Sequence, residues 1–233
     1  MPDLRLLDNP IWNALSTEHA PFACGNGLAR CYLPETGPLS GLAEASDAAY
    51  EALRGLAGPD GVLCLFLEKP PAVQKGWTIV RRGLMRQMVC ERLEFPEAAP
   101  MRAGASLRRL SKSDVSAMVE LASLTEPGPF RKRTSELGTF FGTFEGDRLV
   151  AIAGERMHLP GLIEVSAVCT HPDARSRGYA RALMAAVLND IREKGATPFL
   201  HVLAENDAAI RVYEGLGFTV RRPLHLAILK NNP

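Results

Sequence analysis

The chain has 233 residues, 46% hydrophobic and 23% charged, and its 27 basic side chains against 26 acidic ones leave a formal charge of +1. That length suits one large domain or two modest ones, and it buries enough surface to fold without a disulfide or a metal. So even a balance argues against a general nucleic-acid or membrane-surface binder, and with no run of 18 apolar residues a membrane-spanning helix is excluded too.

The first candidate element is a helix over residues 42–56, where Ala45, Ala49, Ala52, Leu53 and Leu56 share one face. An apolar run over 61–67, closed by Lys69-Pro70-Pro71, reads as a buried strand, and 77–81 as a second one. These elements make a small α/β unit whose role is not legible, because no catalytic constellation falls in it. The stretch from Phe95 to Gly104 is rich in Pro, Ala and Gly and has no period. It reads as a linker, or else as a surface loop inside one domain. With the linker reading, an N-terminal α/β domain covers 1–100 and a second domain covers 104–233.

Beyond residue 104 the signals sharpen. A strand at 106–110 is followed by a helix opening at Ser113-Asp114, with Val115, Met118, Val119 and Ala122 at helical spacing. Strands at 139–145 and 148–156 join at Gly146-Asp147, and another runs over 162–170. A long helix over 179–194 carries Ala180, Leu183, Met184, Val187, Leu188 and Ile191 as one stripe and stops at Gly195. A strand at 198–203, a helix capped by Asn206 and ending before Gly217, and a strand over 218–229 complete the chain. The order β-α-β-β-β-α-β-α-β predicts an α/β (α+β) fold with a mixed, mostly antiparallel sheet flanked by helices.

Cysteines 24, 31, 64, 90 and 169 are odd in number and widely spaced, without a C-x-x-C pair. Free thiols in a reducing, cytoplasmic setting and no metal site are expected, and the first residues carry no secretory pattern.

One junction carries chemistry. The strand ending Val168-Cys169-Thr170 runs through His171-Pro172-Asp173-Ala174 into Arg175-Ser176-Arg177-Gly178-Tyr179-Ala180, which opens the amphipathic helix. A turn at a helix N-terminus aims several backbone N–H groups at one point, where the helix dipole adds positive potential. Gly178 and Ala180 allow close approach, and Arg175, Arg177 and Arg181 add charge, so the turn suits a pyrophosphate.

At these residues the chain resembles the GNAT superfamily of acetyl-CoA-dependent N-acetyltransferases. The motif at 175–180 is similar to that superfamily's Q/R-x-x-G-x-G/A signature. The segment from Asn206 through Ala209 and Tyr213 to Gly217-Phe218 resembles its N-x-x-A-x-x-x-Y-x-x-x-G-F signature. The resemblance covers about 105–230. It implies a GNAT-like fold there and acetyl-CoA as co-substrate, and the first hundred residues could be a degenerate copy. It further implies that the strands at 164–170 and 198–203 splay apart, with the pantetheine arm against the backbone of Val168, Cys169 and Thr170. The pyrophosphate would lie on residues 176–181, and Asn206, Ala209 and Tyr213 would face the arm and the thioester.

Acetyl transfer needs a deprotonated amine, a polarised carbonyl and a proton for the leaving thiolate. Cys169 is not required as a nucleophile and reads as a small strand residue. Tyr213 sits where the family places the acid that protonates the thiolate. Glu164 is an acid in an apolar strand, eleven residues before Arg175, the offset of the general base in histone-type relatives. Burial is expected to raise its pKa towards the working pH. His201, on the neighbouring strand, competes for the role of base. The segment 125–134 reads as the acceptor loop, with Phe130 as a pocket wall and Arg131, Lys132 and Arg133 available to a carboxylate.

The expected function is acetyl transfer from acetyl-CoA to the amine of a small molecule or peptide. The alternatives are a catalytically silent acyl-CoA-binding regulatory module and a transferase of longer acyl groups.

Overall fold

The structure is a computed structural model, and it describes residues 2–25, 27–92 and 101–232. A short helix α1 (Pro10–Ser16) packs on a small antiparallel sheet of β1 (Ala23–Gly25), β2 (Ala29–Tyr32) and β3 (Ser40–Leu42). Helix α2 (Asp47–Ala57) is capped by Ser46, whose hydroxyl accepts from the Ala49 amide. The helix expected from residue 42 therefore starts later, and Leu42 belongs to β3. Next come β4 (Val62–Leu67) and β5 (Trp77–Val89). The second was legible only to residue 81, because Arg81, Arg82, Gly83 and Arg86 break the apolar pattern.

Then follow β6 (Ala105–Arg109), α3 (Val115–Thr125), β7 (Phe140–Glu145), β8 (Arg148–Leu159), β9 (Leu162–Thr170), α4 (Tyr179–Glu193), β10 (Thr197–Leu203), α5 (Asp207–Glu214) and β11 (Thr219–Asn231). The expected order from 105 onward is the observed one. Helix α3 follows Asp114, where the opening was expected, and a capping box of Ser111 and Asp114 precedes it. Among the described residues no helix is long and apolar enough to cross a membrane.

One eight-stranded sheet runs β4-β11-β5-β10-β9-β8-β7-β6, antiparallel except between β9 and β10. The stripe of α4 closes one face, with Leu183, Met184, Val187, Leu188 and Ile191 fully buried against Phe218 and Leu200. Burial of each such side chain stabilises the fold by ~1.5–3 kcal/mol. Leu7, Ile11 and Leu15 pack elsewhere with Phe199 and Met157. Strand pairing crosses the expected boundary near residue 100, because β5 stands between β10 and β11. The stretch read as a linker falls mostly on 93–100, outside the described residues.

Candidate active site

Strands β9 and β10 pair only from Leu162–Thr197 to Glu164–Phe199. From Phe199 onward β10 pairs with β5, and beyond Glu164 that edge of β9 meets no described strand. A bulge sharpens the departure. The register with β8 shifts between Cys169 and Ser166, and Ala167 takes a left-handed φ of 53°. The gap is a cleft of about 1080 Å³. Val168, Cys169, Thr170, the turn from Arg175 to Arg181, His201, Asn206, Ala209 and Tyr213 all line it. The structure thus brings every expected cofactor residue to one wall system.

The turn is built from two left-handed residues, Ser176 (φ 61°) and Gly178 (φ 79°), the second being the N-cap of α4. No side chain caps this helix, so its first amides stay available at the cleft. Arg177 braces the turn, bonding Glu145 and, at 2.6 Å, the carbonyl of Asp173. Tyr179 is buried and donates to Glu145 Oε1 at 2.6 Å. Of the expected cations, Arg175 and Arg181 line the cleft and form no ion pair among the described residues, though Arg175 Nε donates to the Thr170 carbonyl at 3.5 Å. Asn206 spends its Oδ1 on the Ala209 amide, 3.1 Å away, capping α5.

Tyr213 rests beside Phe218, with ring centroids 6.1 Å apart. Burial pushes its phenol up to about 12, so it is protonated at neutral pH. The Cys169 thiol is buried among Met118, Leu121 and Ile152, which raises its pKa as well.

Glu164 differs from expectation. It is fully buried and is absent from the cleft wall. Arg156, which does line the cleft, donates to it through Nε (2.7 Å) and a terminal nitrogen (2.6 Å). His201 Nδ1 lies 2.7 Å from the same carboxylate. Burial would raise the Glu164 pKa, but the Arg156 charge, its hydrogen bonds and that of His201 outweigh burial and hold the carboxyl at about 2. The predicted direction is therefore reversed. The cause is a register slip in β8 between Glu155 and His158, which sets Arg156 and Met157 opposite Glu164.

His201 is occupied on both sides. Its Nε2 lies 3.1 Å from Gln87 Nε2, whose amide is fixed by Leu7 O (2.8 Å) and by Arg221 (2.8 Å to Oε1). An amide nitrogen only donates, so His201 Nε2 accepts and its Nδ1–H donates to Glu164. Sequence reasoning missed Arg156 and Gln87. A charged pair, Glu155-Arg156, closing a strand whose middle is apolar was the one signal for the first.

The segment read as the acceptor loop reaches the cleft with only part of its length. Residues 125–129 line the cleft, while Phe130 packs edge-on against Phe140 at 5.6 Å. The expected carboxylate-binding cations do not line it. Arg131 is drawn to the carbonyl of Pro34, and Arg133 pairs with Glu136 at 2.8 Å. Their place on the wall is taken by residues of the first hundred, among them Phe66, Arg81 and Met85.

A family model described as FR47-like protein matches residues 140–225. A ribosomal protein bS18-alanine N-acetyltransferase from Salmonella typhimurium is 30% identical over 127 residues, 48% of this chain and 82% of that enzyme. A mycothiol acetyltransferase from Saccharopolyspora erythraea is 40% identical over 73 residues, 31% of this chain, and the match spans only 24% of that enzyme. A crystal structure from Novosphingobium aromaticivorans, described as an acetyltransferase of the GNAT family, superposes with a TM-score of 0.86 at 35% identity. That superposition covers 97% of this chain and 99% of the other.

Proposed function

Since the chain belongs to the GNAT family of N-acetyltransferases, we propose that it transfers an acetyl group from acetyl-CoA to an amine by direct attack on the thioester. The observation that carries this reading is the splayed strand pair, which opens onto an uncapped helix N-terminus and a protonated tyrosine in a single cleft. The free edge of β9 suits the amides of a pantetheine arm, and the turn at 175–178 suits a pyrophosphate. Coenzyme A would supply the activated carbonyl and the leaving thiolate. Tyr213 gives that thiolate a proton. Glu164, ion-paired and off the cleft wall, fixes Arg156 and His201 in position, and the acceptor's own amine loses its proton without a dedicated base. The chemistry falls to residues 104–233, and the first hundred contribute β5 and the opposite wall.

A silent acyl-CoA-binding module would need the turn but not the tyrosine. The deciding experiment measures coenzyme A release across amino acids, polyamines, aminoglycosides and peptides. Tight binding with no release from any amine, with acetyl-CoA and with longer acyl-CoA donors alike, would leave only the silent module.

The turn has its own test. Gly178→Asp places a side chain and a negative charge where φ is 79° and where the phosphates would lie. Acetyl-CoA affinity should drop at least about tenfold, ~1.4 kcal/mol. Equal affinity by calorimetry, in a variant that melts normally, would remove the turn from the binding site.

A further inference from the structure

The cleft wall contributed by β4, β5 and β11 is apolar, with Cys64, Phe66, Met85 and Ile228, yet it carries a cation, Arg81. A second cation, Arg156, reaches the same cleft from β8. Its guanidinium lies 5.8 Å over the Phe66 ring. Glu164 engages two of its three nitrogens, and the third terminal nitrogen bonds nothing among the described residues. That nitrogen points towards the loop at Gly128, 4.0 Å from where a Cβ on that glycine would stand. Only 12% of the Arg156 side chain is exposed. Arg81 forms no ion pair among the described residues. Arg81 pairs with Ile228 and Ile228 with Cys64, two residues before the Phe66 that lies beneath Arg156, so both cations belong to one patch of the wall. Among the described residues Glu126, at the loop, is the only carboxylate on the cleft wall.

A guanidinium locked along one edge by a buried carboxylate cannot swing away, and its bare edge is preorganised for a second carboxylate. Phe66 and Met85 beside it offer an apolar surface. We propose that this patch recognises an apolar α-amino acid, with Arg156 and Arg81 on its carboxylate and its α-amine as the acetyl acceptor. The inference rests on the acetyl-transfer reading above. In the step, the amine nitrogen bonds to the acetyl carbonyl carbon and the carbon–sulfur bond breaks. The sulfur takes the proton of Tyr213, and the proton lost by the amine restores the phenol. A polyamine would bring a further positive charge against two fixed ones. A peptide N-terminus lacks the adjacent carboxylate.

The test compares coenzyme A release with leucine, methionine and phenylalanine, with their amides, with spermidine, with a phosphate-bearing amine and with a short peptide. The free acids should exceed their amides in kcat/KM at least about 100-fold, since the amide gives the bare edge of the buried Arg156 no charged partner and loses the attraction of Arg81 as well. Arg81→Gln is an exposed change that should leave folding intact. It should raise KM for the amino acid at least about tenfold, shrink the acid-over-amide preference, and leave acetyl-CoA affinity by calorimetry unchanged. Comparable rates for acid and amide, or preferential release with spermidine, the phosphate-bearing amine or the peptide, would overturn the inference while acetyl transfer stands. An Arg81→Gln enzyme with unaltered KM and preference would overturn it as well. No release with any amine would remove both readings.

Discussion

Glu164→Gln should destabilise the protein by ~3–5 kcal/mol, because it leaves the Arg156 guanidinium buried without its counter-charge. The bond lengths of 2.6 and 2.7 Å and the full burial of the carboxylate place this pair among those whose breakage is costly. The pH dependence follows from the direction of the shift. The carboxyl is lowered from 4.5 to about 2 in the folded protein, so its contribution to stability is complete above pH 4.5 and is lost as pH falls towards 2. Melting curves should show that loss in the wild type and a flatter profile in the variant. Kinetics separate positioning from proton abstraction. A carboxylate titrating at about 2 produces no acidic limb near neutrality, and with the acceptor amine as the group that loses its proton, a limb there should persist in Glu164→Gln and in His201→Gln. Disappearance of the limb in the glutamine variant at 164 would restore Glu164 as the proton acceptor.

The second large effect is on turnover. Tyr213→Phe keeps the ring against Phe218 and removes only the hydroxyl. With general acid catalysis typically contributing ~10²–10⁴-fold, kcat should fall by that factor while acetyl-CoA binds as before. The loss should be smaller for an acyl donor whose leaving thiol is more acidic, since such a thiolate departs without help. An unchanged kcat in single-turnover measurements would return Tyr213 to packing.

How much of this was legible in the sequence depended on the range of the forces involved. The turn at 175–180 is local, since a strand end, two conformationally permissive positions and an amphipathic start lie within a few residues, and it was found where it was expected. The helix stripe from Leu183 to Ile191 was equally local. Glu164 was found as a residue but misjudged in charge state, because its partner Arg156 reaches it only through a register slip between two strands. Burial was foreseen and the compensating cation was not. The opposite wall of the cleft left no signal, because Phe66 comes from β4, which joins the sheet through β11, and Arg81 and Met85 from β5, which joins it through β10 and β11, all more than a hundred residues later. The basic end of the acceptor loop misled for the converse reason. Its three cations looked free in the sequence, and two of them are taken up, Arg131 by the carbonyl of Pro34 and Arg133 by Glu136.

The position of β5 between β10 and β11 bears on how the molecule acquires its shape. Its partners on both edges are made last, with Trp77 pairing Asn231 and Val89 pairing both Phe199 and Thr219. During synthesis β5 therefore waits with two open edges while more than a hundred residues are added. Closing loops of that length makes folding slow, and open strand edges invite pairing with other chains. The charged residues that obscured this strand in the sequence, Arg81, Arg82 and Arg86, are of the kind that discourages such pairing. Arg81, proposed above for the acceptor's carboxylate, is one of the charges that would blunt the open edges of an unfinished sheet.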